Sequence, residues 1–417
     1  YIINTIAGNG TNGYAGDGSP ATSAAVGTPK AVTVDAAGNL YVTSGNDVIR
    51  KVDAATGIIS TVAGTGSSGF TGDGGAATAA RLNDPRGVAL DVSGNLYISD
   101  SGNNRVRKVD TNFTITTFVG SGDNSYTGDG GPATSAGLNQ IKEITISNTG
   151  NLLITDRGAG AHTVRSVTIA TGIISTVAGT GSIGFSGDGG PATMATLSQP
   201  IGVSTDALGN IYIADKDNGR IRKITAASGI ISTFAGDGTS TFKGDGGPAT
   251  NAGLNYPTSV AVSVNRDLLI VDKHHYRVRK VDLDTGIITT IAGTGNSGFT
   301  GDGGPALSAN LKFTGTPGTS ELIGGVAADS VGNVYIADVG NHRIRKLTVS
   351  PLITSPLAAN GTVGAAFSYT IAASGTVAIN FSPSALPPGL ALNGAPISGT
   401  PTQVGTTNVT LTATNSI

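Results

Sequence analysis

The chain has 417 residues, 64 of them Gly and 17 Pro, with 38% hydrophobic. This is glycine-rich but apolar enough for packed cores, and the length suits a large repeat domain with a smaller companion. Lys+Arg 25 against Asp+Glu 27 leaves a net charge of −2, which argues against a nucleic-acid partner, and the absence of Cys excludes disulfides, a thiol nucleophile and a thiolate metal site.

The chain opens with Tyr1–Gly8 (YIINTIAG), a short β-type run. A Gly-Asp-Gly follows, and it recurs with its aspartate at Asp17, Asp73, Asp129, Asp188, Asp245 and Asp302, at spacings of 56, 56, 59, 57 and 57. An aromatic stands three residues before each: Tyr14, Phe70, Tyr126, Phe185, Phe242 and Phe299. A fixed period of this length marks a repeat architecture. The second unit displays its parts: Pro85–Asp91, Asn95–Asp100, Arg105–Asp110 and Thr114–Val119 are runs rich in Val, Ile, Tyr and Thr, punctuated by Gly, Asn and Asp. These are strand and tight-turn signals. Four antiparallel strands per unit, six times over, predict an all-β, six-bladed β-propeller over residues 1–350. The sixth unit ends at Arg343–Val349 without a fourth strand, while Tyr1–Gly8 matches the fourth strand elsewhere, as in Ile58–Gly64. The N-terminal strand is therefore expected to close the ring, with Ile2, Ile3 and Ile6 buried.

A loop of about 20 residues joins each fourth strand to the next blade, as at 65–84, and loops this long are usually functional or self-packed. With GDGGPAT in this loop and NxYIADxxNxRIRK in the strands, the units resemble NHL repeats, in the form found in teneurins and in bacterial extracellular proteins. The resemblance implies a propeller that binds proteins or other ligands; a few relatives are lyases.

Composition shifts after Val349. Residues 352–417 hold no Lys, Arg, Asp, Glu or His, and β runs at Phe367–Ile371, Val377–Phe381 and Val409–Ala413 are separated by LPPGL (386–390) and SGTP (398–401). This pattern predicts a small β-sandwich over 351–417. It resembles the immunoglobulin-like domains of bacterial surface proteins, which implies a spacer or adhesion module.

Residues repeated in every unit are expected to serve the fold. The Gly-Asp-Gly aspartates should accept N–H bonds within their own loops, since one carboxylate per unit is too few for calcium. The second-strand aspartates Asp100, Asp156, Asp215, Asp272 and Asp338, with Ser44 in the first unit, should hold turns. The arginines of the third strand (Arg105, Arg107, Arg220, Arg222, Arg277, Arg279, Arg343 and Arg345) should tie neighbouring blades.

Binding residues are sought where repeats differ. His162, His274, His275 and His342 all fall between second and third strands, on the face expected to carry the long loops. The sixth unit has nine extra residues around Lys312–Ser320, counted from Leu311 to Val326 against Leu82 to Val88; Lys312, Phe313 and Thr314 open this insertion. These seven residues are the candidate partner surface. No HxH or HExxH spacing exists, so neither a metal nor any other cofactor is called for. No catalytic triad, phosphate loop or paired-carboxylate motif emerges, and the absence of Trp disfavours carbohydrate. No apolar run approaches the ~18 residues of a membrane span. Low charge, abundant Gly, Thr and Ser and no Cys suggest a secreted or surface protein of bacteria, and a start at Tyr1 suggests processing or excision. The leading reading is a non-enzymatic extracellular scaffold that engages a protein partner. The alternatives are a self-associating subunit of a fibre or surface layer, and a metal-dependent lyase or hydrolase built on the histidines.

Overall fold

The computed structural model describes residues 1–314, 323–349, 351–356, 358–374 and 379–415. Most of the sixth-unit insertion (315–320) and the start of the run at Val377 lie outside them. Among the described residues the chain is all-β, with single turns of 3₁₀ helix and no α-helix.

Six antiparallel sheets of four or five strands follow one another in Ile3–Leu347. Sheet two shows the pattern: Pro85–Leu90, Leu96–Asp100, Arg105–Val109 and Thr114–Val119 lie side by side in chain order. Sheet six departs from it. Its Val326–Ala328, Val334–Asp338 and Arg343–Thr348 are followed, in the fourth place, by the N-terminal Ile2–Ala7. Ile3 and Ala7 of that strand are fully buried, whereas Ile2 and Ile6 are only half-buried.

The apolar core lies between sheets. One cluster joins Tyr97 and Val106 of sheet two to Ile141, Leu152 and Ile154 of sheet three, and another joins Ala337 and Ile344 of sheet six to Val32, Leu40 and Val42 of sheet one. Each sheet is buried on both faces, which is why its strands read as nearly continuous apolar runs. The first strands touch in succession from sheet one to sheet six, and that of sheet six, Val326–Ala328, touches Val32–Val34 of sheet one.

The long loops run differently from expectation. The loop before sheet two starts beside the turn between the second and third strands of sheet one, where Gly64 meets the Asp47 carbonyl. It then follows the outer rim: Gly75–Ala76 adds a fifth strand against Thr114–Ile115, and Ala77 bonds both Gly64 and Phe113. The Gly-Asp-Gly segments thus cover the outer edges of the sheets and do not lie on the turn face, and a covered edge cannot recruit a foreign strand.

The second compact unit comprises Thr348–Ile417 with Tyr1–Ile2. Within it, Phe367–Thr370, Pro396–Gly399 and Leu390–Leu392 form one sheet, and Ile379–Pro383 pairs with Leu411–Asn415. The LPPGL and SGTP turns bind each other: Thr400 N–H donates to the Gly389 carbonyl and Thr402 N–H to that of Pro388. Gly389 has φ 91°, and a Cβ there would stand 2.0 Å from the Thr400 carbonyl oxygen, so this pairing needs glycine.

Candidate functional site

The residues repeated in every sheet form a buried charge cluster. The arginine at the third position of each third strand (Arg50, Arg107, Arg165, Arg222, Arg279 or Arg345) has no solvent exposure. On its outer side it meets the Gly-Asp-Gly aspartate: Arg107 reaches Asp73 at 2.6 Å, Arg165 reaches Asp129 at 2.6 Å and Arg345 reaches Asp302 at 2.7 Å. On its inner side it faces the second-strand aspartate, at 3.3 Å for Arg222–Asp215 and Arg345–Asp338 and 3.4 Å for Arg279–Asp272. Those carboxylates also accept the backbone N–H of the residue that follows the loop leucine, such as Asn83, Ser198 or Lys312. A buried guanidinium needs counter-charge, and the fold supplies it from two directions. The Gly-Asp-Gly aspartates therefore bridge their loop to the third and fourth strands, with Thr117 and Thr233 hydroxyls on the second oxygen, instead of capping their own loops. Burial pushes the carboxyls of Asp100, Asp215 and Asp338 up to about 6 and that of Asp156 to about 7.

The first arginine of the third strand lies over the loop aromatic, at 4.0 Å for Arg105–Phe70 and 3.7 Å for Arg343–Phe299. Arg105 also donates to the carbonyls of Asn103 and Ser121. These aromatics anchor loops through cation–π contact.

The four histidines are not brought together. His275 stands where other sheets have Asn103, Asn218 and Asn341, and it makes the same two contacts: Nδ1 with Asp272 at 2.8 Å and Nε2 with the Ser240 carbonyl at 2.9 Å. His162 and His342 occupy the left-handed residue that opens the third strand, a place held elsewhere by Asp47, Asn104 and Tyr276. From there each reaches the next sheet: His162 Nδ1 accepts the Gln199 N–H at 3.3 Å, and His342 Nδ1 lies 2.7 Å from the Gly27 carbonyl. Asp47 and Asn104 do the same with the N–H groups of Asp84 and Gln140. Three histidines are thus repeat positions in different dress, and the binding role expected for His162, His275 and His342 gives way to a structural one. Only His274 is exposed, stacked on Tyr256 at 4.6 Å. Among the described residues no three His, Asp or Glu side chains converge as a metal site would require.

Phe313 also departs from expectation. It is fully buried and packs where Gly324 lacks a side chain, so it belongs to the interior. Lys312 gives its N–H to Asp338, and Thr314 Oγ1 lies 3.4 Å from the Tyr276 hydroxyl.

Sequence reasoning missed Glu143, in the first strand of sheet three. Its Oε1 accepts the Ser259 hydroxyl of sheet five at 2.7 Å, and its Oε2 lies against Gly202 of sheet four. The side chain keeps some solvent contact, but Oε2 is shut off from water, and burial pushes the carboxyl up to about 8. The aligned residues are Ala31, Gly87, Gly202, Ser259 and Gly325; a lone acid among small residues was the available signal.

The comparisons agree with this geometry. Residues 65–127 match the family model of the Teneurin NHL domain, 197–224 and 323–347 match the NHL repeat, and 350–417 match the Putative Ig domain. These stretches of the chain are thus similar to NHL repeats and, at 350–417, to an Ig-like domain. Its relatives include Teneurin-1 of Gallus gallus, 30% identical over 56% of this chain and 9% of that protein. Protein SUPPRESSOR OF QUENCHING 1 of Arabidopsis thaliana is 26% identical over 68% of this chain and 27% of its own length. NHL repeat-containing protein 2 of Bos taurus is 26% identical over 64% and 39%. The chain thus spans well under half of each of these relatives. Among solved structures, a protein of unknown function from Bacteroides thetaiotaomicron aligns with TM-score 0.59 at 19% identity, covering 82% of this chain and 74% of that one. An auxiliary nutrient binding protein from the same species aligns with TM-score 0.56 at 16% identity, covering 82% and 75%. At these identities the structural likeness concerns the fold.

Proposed function

We propose that this chain is a non-catalytic extracellular binding protein of bacterial type. In this reading the six sheets form a six-bladed ring closed by Ile2–Ala7, and residues 351–417 form an Ig-like sandwich that acts as spacer or adhesion module. The succession of first-strand contacts back to sheet one, and the place of the N-terminal strand in sheet six, support the ring. One observation carries the binding role. The repeated ionisable residues are committed to the fold, while exposed apolar side chains occur at loop positions that vary between repeats. Ile183 and Met194, both in the loop before sheet four, are 67% and 69% exposed, where the second repeat has Ser68 and Ala79. Large apolar side chains open to water suit a protein partner.

The test uses fluorescently labelled chain and cells of the source organism. The double variant Ile183→Asp/Met194→Asp should lose most cell binding, while Val92→Asp, in the turn between the first two strands of sheet two, should keep it. Equal binding by all three proteins would overturn the assignment. Sedimentation of the purified chain reports whether the partner is a second copy. A stoichiometric transition metal in natively purified protein, lost on His274→Ala, would replace this reading with an enzymatic one.

A further inference from the structure

Sheets two and four carry an aromatic set on the side that meets the next sheet. Their second strands supply Tyr97 and Tyr212, and their fourth strands Phe118 and Phe234. Each pair packs edge to face, with ring centres 5.1 and 5.0 Å apart. A third-strand lysine holds its ammonium over the tyrosine, at 5.9 Å for Lys108 and 5.7 Å for Lys223, and Lys223 lies 5.7 Å from the Phe234 ring as well. The next sheet completes the packing with Ile169 or Leu283, each just after its third strand.

Sheet six keeps the tyrosine and the lysine but lacks the second ring. Tyr335 donates its hydroxyl to Asp329 at 3.0 Å, and Lys346 Nζ lies 5.8 Å from the Tyr335 ring centre. Ile6 of the N-terminal strand stands in the place of Phe118 and Phe234, and sheet one has Ala54 in the place of Ile169 and Leu283. Both walls are short, so a cleft of about 520 Å³ opens beside Ile6, Leu40, Val52, Ala54, Tyr335 and Lys346. A cleft of the same volume between sheets three and four has the same cause, with Val177 and Ala226 at the two positions. There, however, the second and third strands supply Leu153 and Ser166, neither a ring nor a cation.

We infer that the cleft between sheets six and one binds a small solute with an electron-rich aromatic ring, of phenol or indole type, whose ring supplies beside Tyr335 and Lys346 what Phe118 and Phe234 supply in sheets two and four. Apolar side chains on both walls remove the ring from water. The half-buried Lys346 ammonium attracts its face. Burial holds this ammonium below its ordinary value despite the Asp329 carboxylate, so an arriving ring meets a partly dehydrated charge. The site shares no residue with the loop positions of the protein-docking reading and stands or falls without them.

The test is a methyl NMR titration of the full chain with indole and p-cresol, against cyclohexanol as an apolar probe without a π face. Both aromatic probes should move the Ile6 and Ala54 methyl signals saturably, and cyclohexanol should need a clearly higher concentration. Ile6→Phe/Ala54→Ile, which installs the residues of the interface between sheets two and three, should lose the response. Val177→Phe/Ala226→Leu, which fills the matching cleft between sheets three and four, should keep it. Lys346→Met should weaken indole roughly two- to fivefold and leave cyclohexanol unchanged. If indole leaves the Ile6 and Ala54 signals in place, or binds no better than cyclohexanol, the site does not exist; a filled variant that is folded by circular dichroism and still binds indole there overturns it equally. The wild-type titration decides by itself should that variant fail to fold.

Discussion

Replacing Arg222 by Met removes the centre of one charge cluster while keeping a side chain of similar length. The guanidinium is fully buried and touches Asp215 at 3.3 Å, Asp188 at 2.5 Å and the Ser186 carbonyl at 3.1 Å. Asp188 is 38% exposed and can be solvated by water, whereas Asp215 has no exposure. The loss should therefore come chiefly from the stranded Asp215 carboxylate, about 3–5 kcal/mol by analogy with other broken buried pairs. Asp188→Asn should cost only ~0.2–1 kcal/mol, the range of a solvent-screened pair. Adding Asp215→Asn to Arg222→Met should recover part of the loss, because the uncompensated charge is gone. Urea unfolding followed by circular dichroism at pH 8, where Asp215 is ionised, gives all the values needed for a double-mutant cycle. If Arg222→Met loses less than about 1 kcal/mol, or if Asp215→Asn fails to rescue it, the cluster does not hold the sheet as argued.

The other predictions concern pH, the histidines and the N-terminal strand. Folded Glu143 keeps its proton up to about 8, whereas an unfolded glutamic acid ionises near ~4.3. Its contribution is complete below the lower value, falls as pH rises, and is lost above the upper one. Wild type should weaken relative to Glu143→Gln between pH 5 and 8.5, by up to about 1.4 kcal/mol per unit; a difference that stays constant with pH would refute the burial argument. His275→Asn should melt within a few degrees of wild type, because asparagine makes the same contacts in three other sheets. His275→Ala should cost about 1–3 kcal/mol by leaving the Asp272 carboxylate short of a donor, and equal melting of the two variants would contradict this. Deleting residues 1–7 removes buried Ile3 and Ala7 and bares the edge of Arg343–Thr348. With roughly 1.5–3 kcal/mol for a large buried apolar side chain, that chain should unfold or associate on gel filtration. Deletion of 351–417 should leave the propeller's melting temperature unchanged.

The 57-residue spacing between Asp188 and Asp245 and the alternation of β runs with Gly-Asn and Gly-Asp turns were enough to read repeats, strands and the N-terminal strand's match to the fourth-strand pattern. These are local properties: strand propensity, turn chemistry and period are written in consecutive residues, and NLYISD reads the same whatever surrounds it. The histidines show where local reading ends. In sequence, His162, His275 and His342 look like departures from the repeat, because sequence displays residue type and not contact. Only the assembled sheets show that an imidazole nitrogen takes the place of an asparagine amide against Asp272, or that a left-handed residue bonds the next sheet whether it is Asp47, Asn104 or His162. The same holds for Glu143. Its Oε1 finds Ser259 116 residues away, and the small residues Gly202 and Gly325 matter only once the first strands stand side by side. Burial and charge compensation are sums over neighbours brought from distant parts of the chain, and those neighbours exist only in the folded molecule.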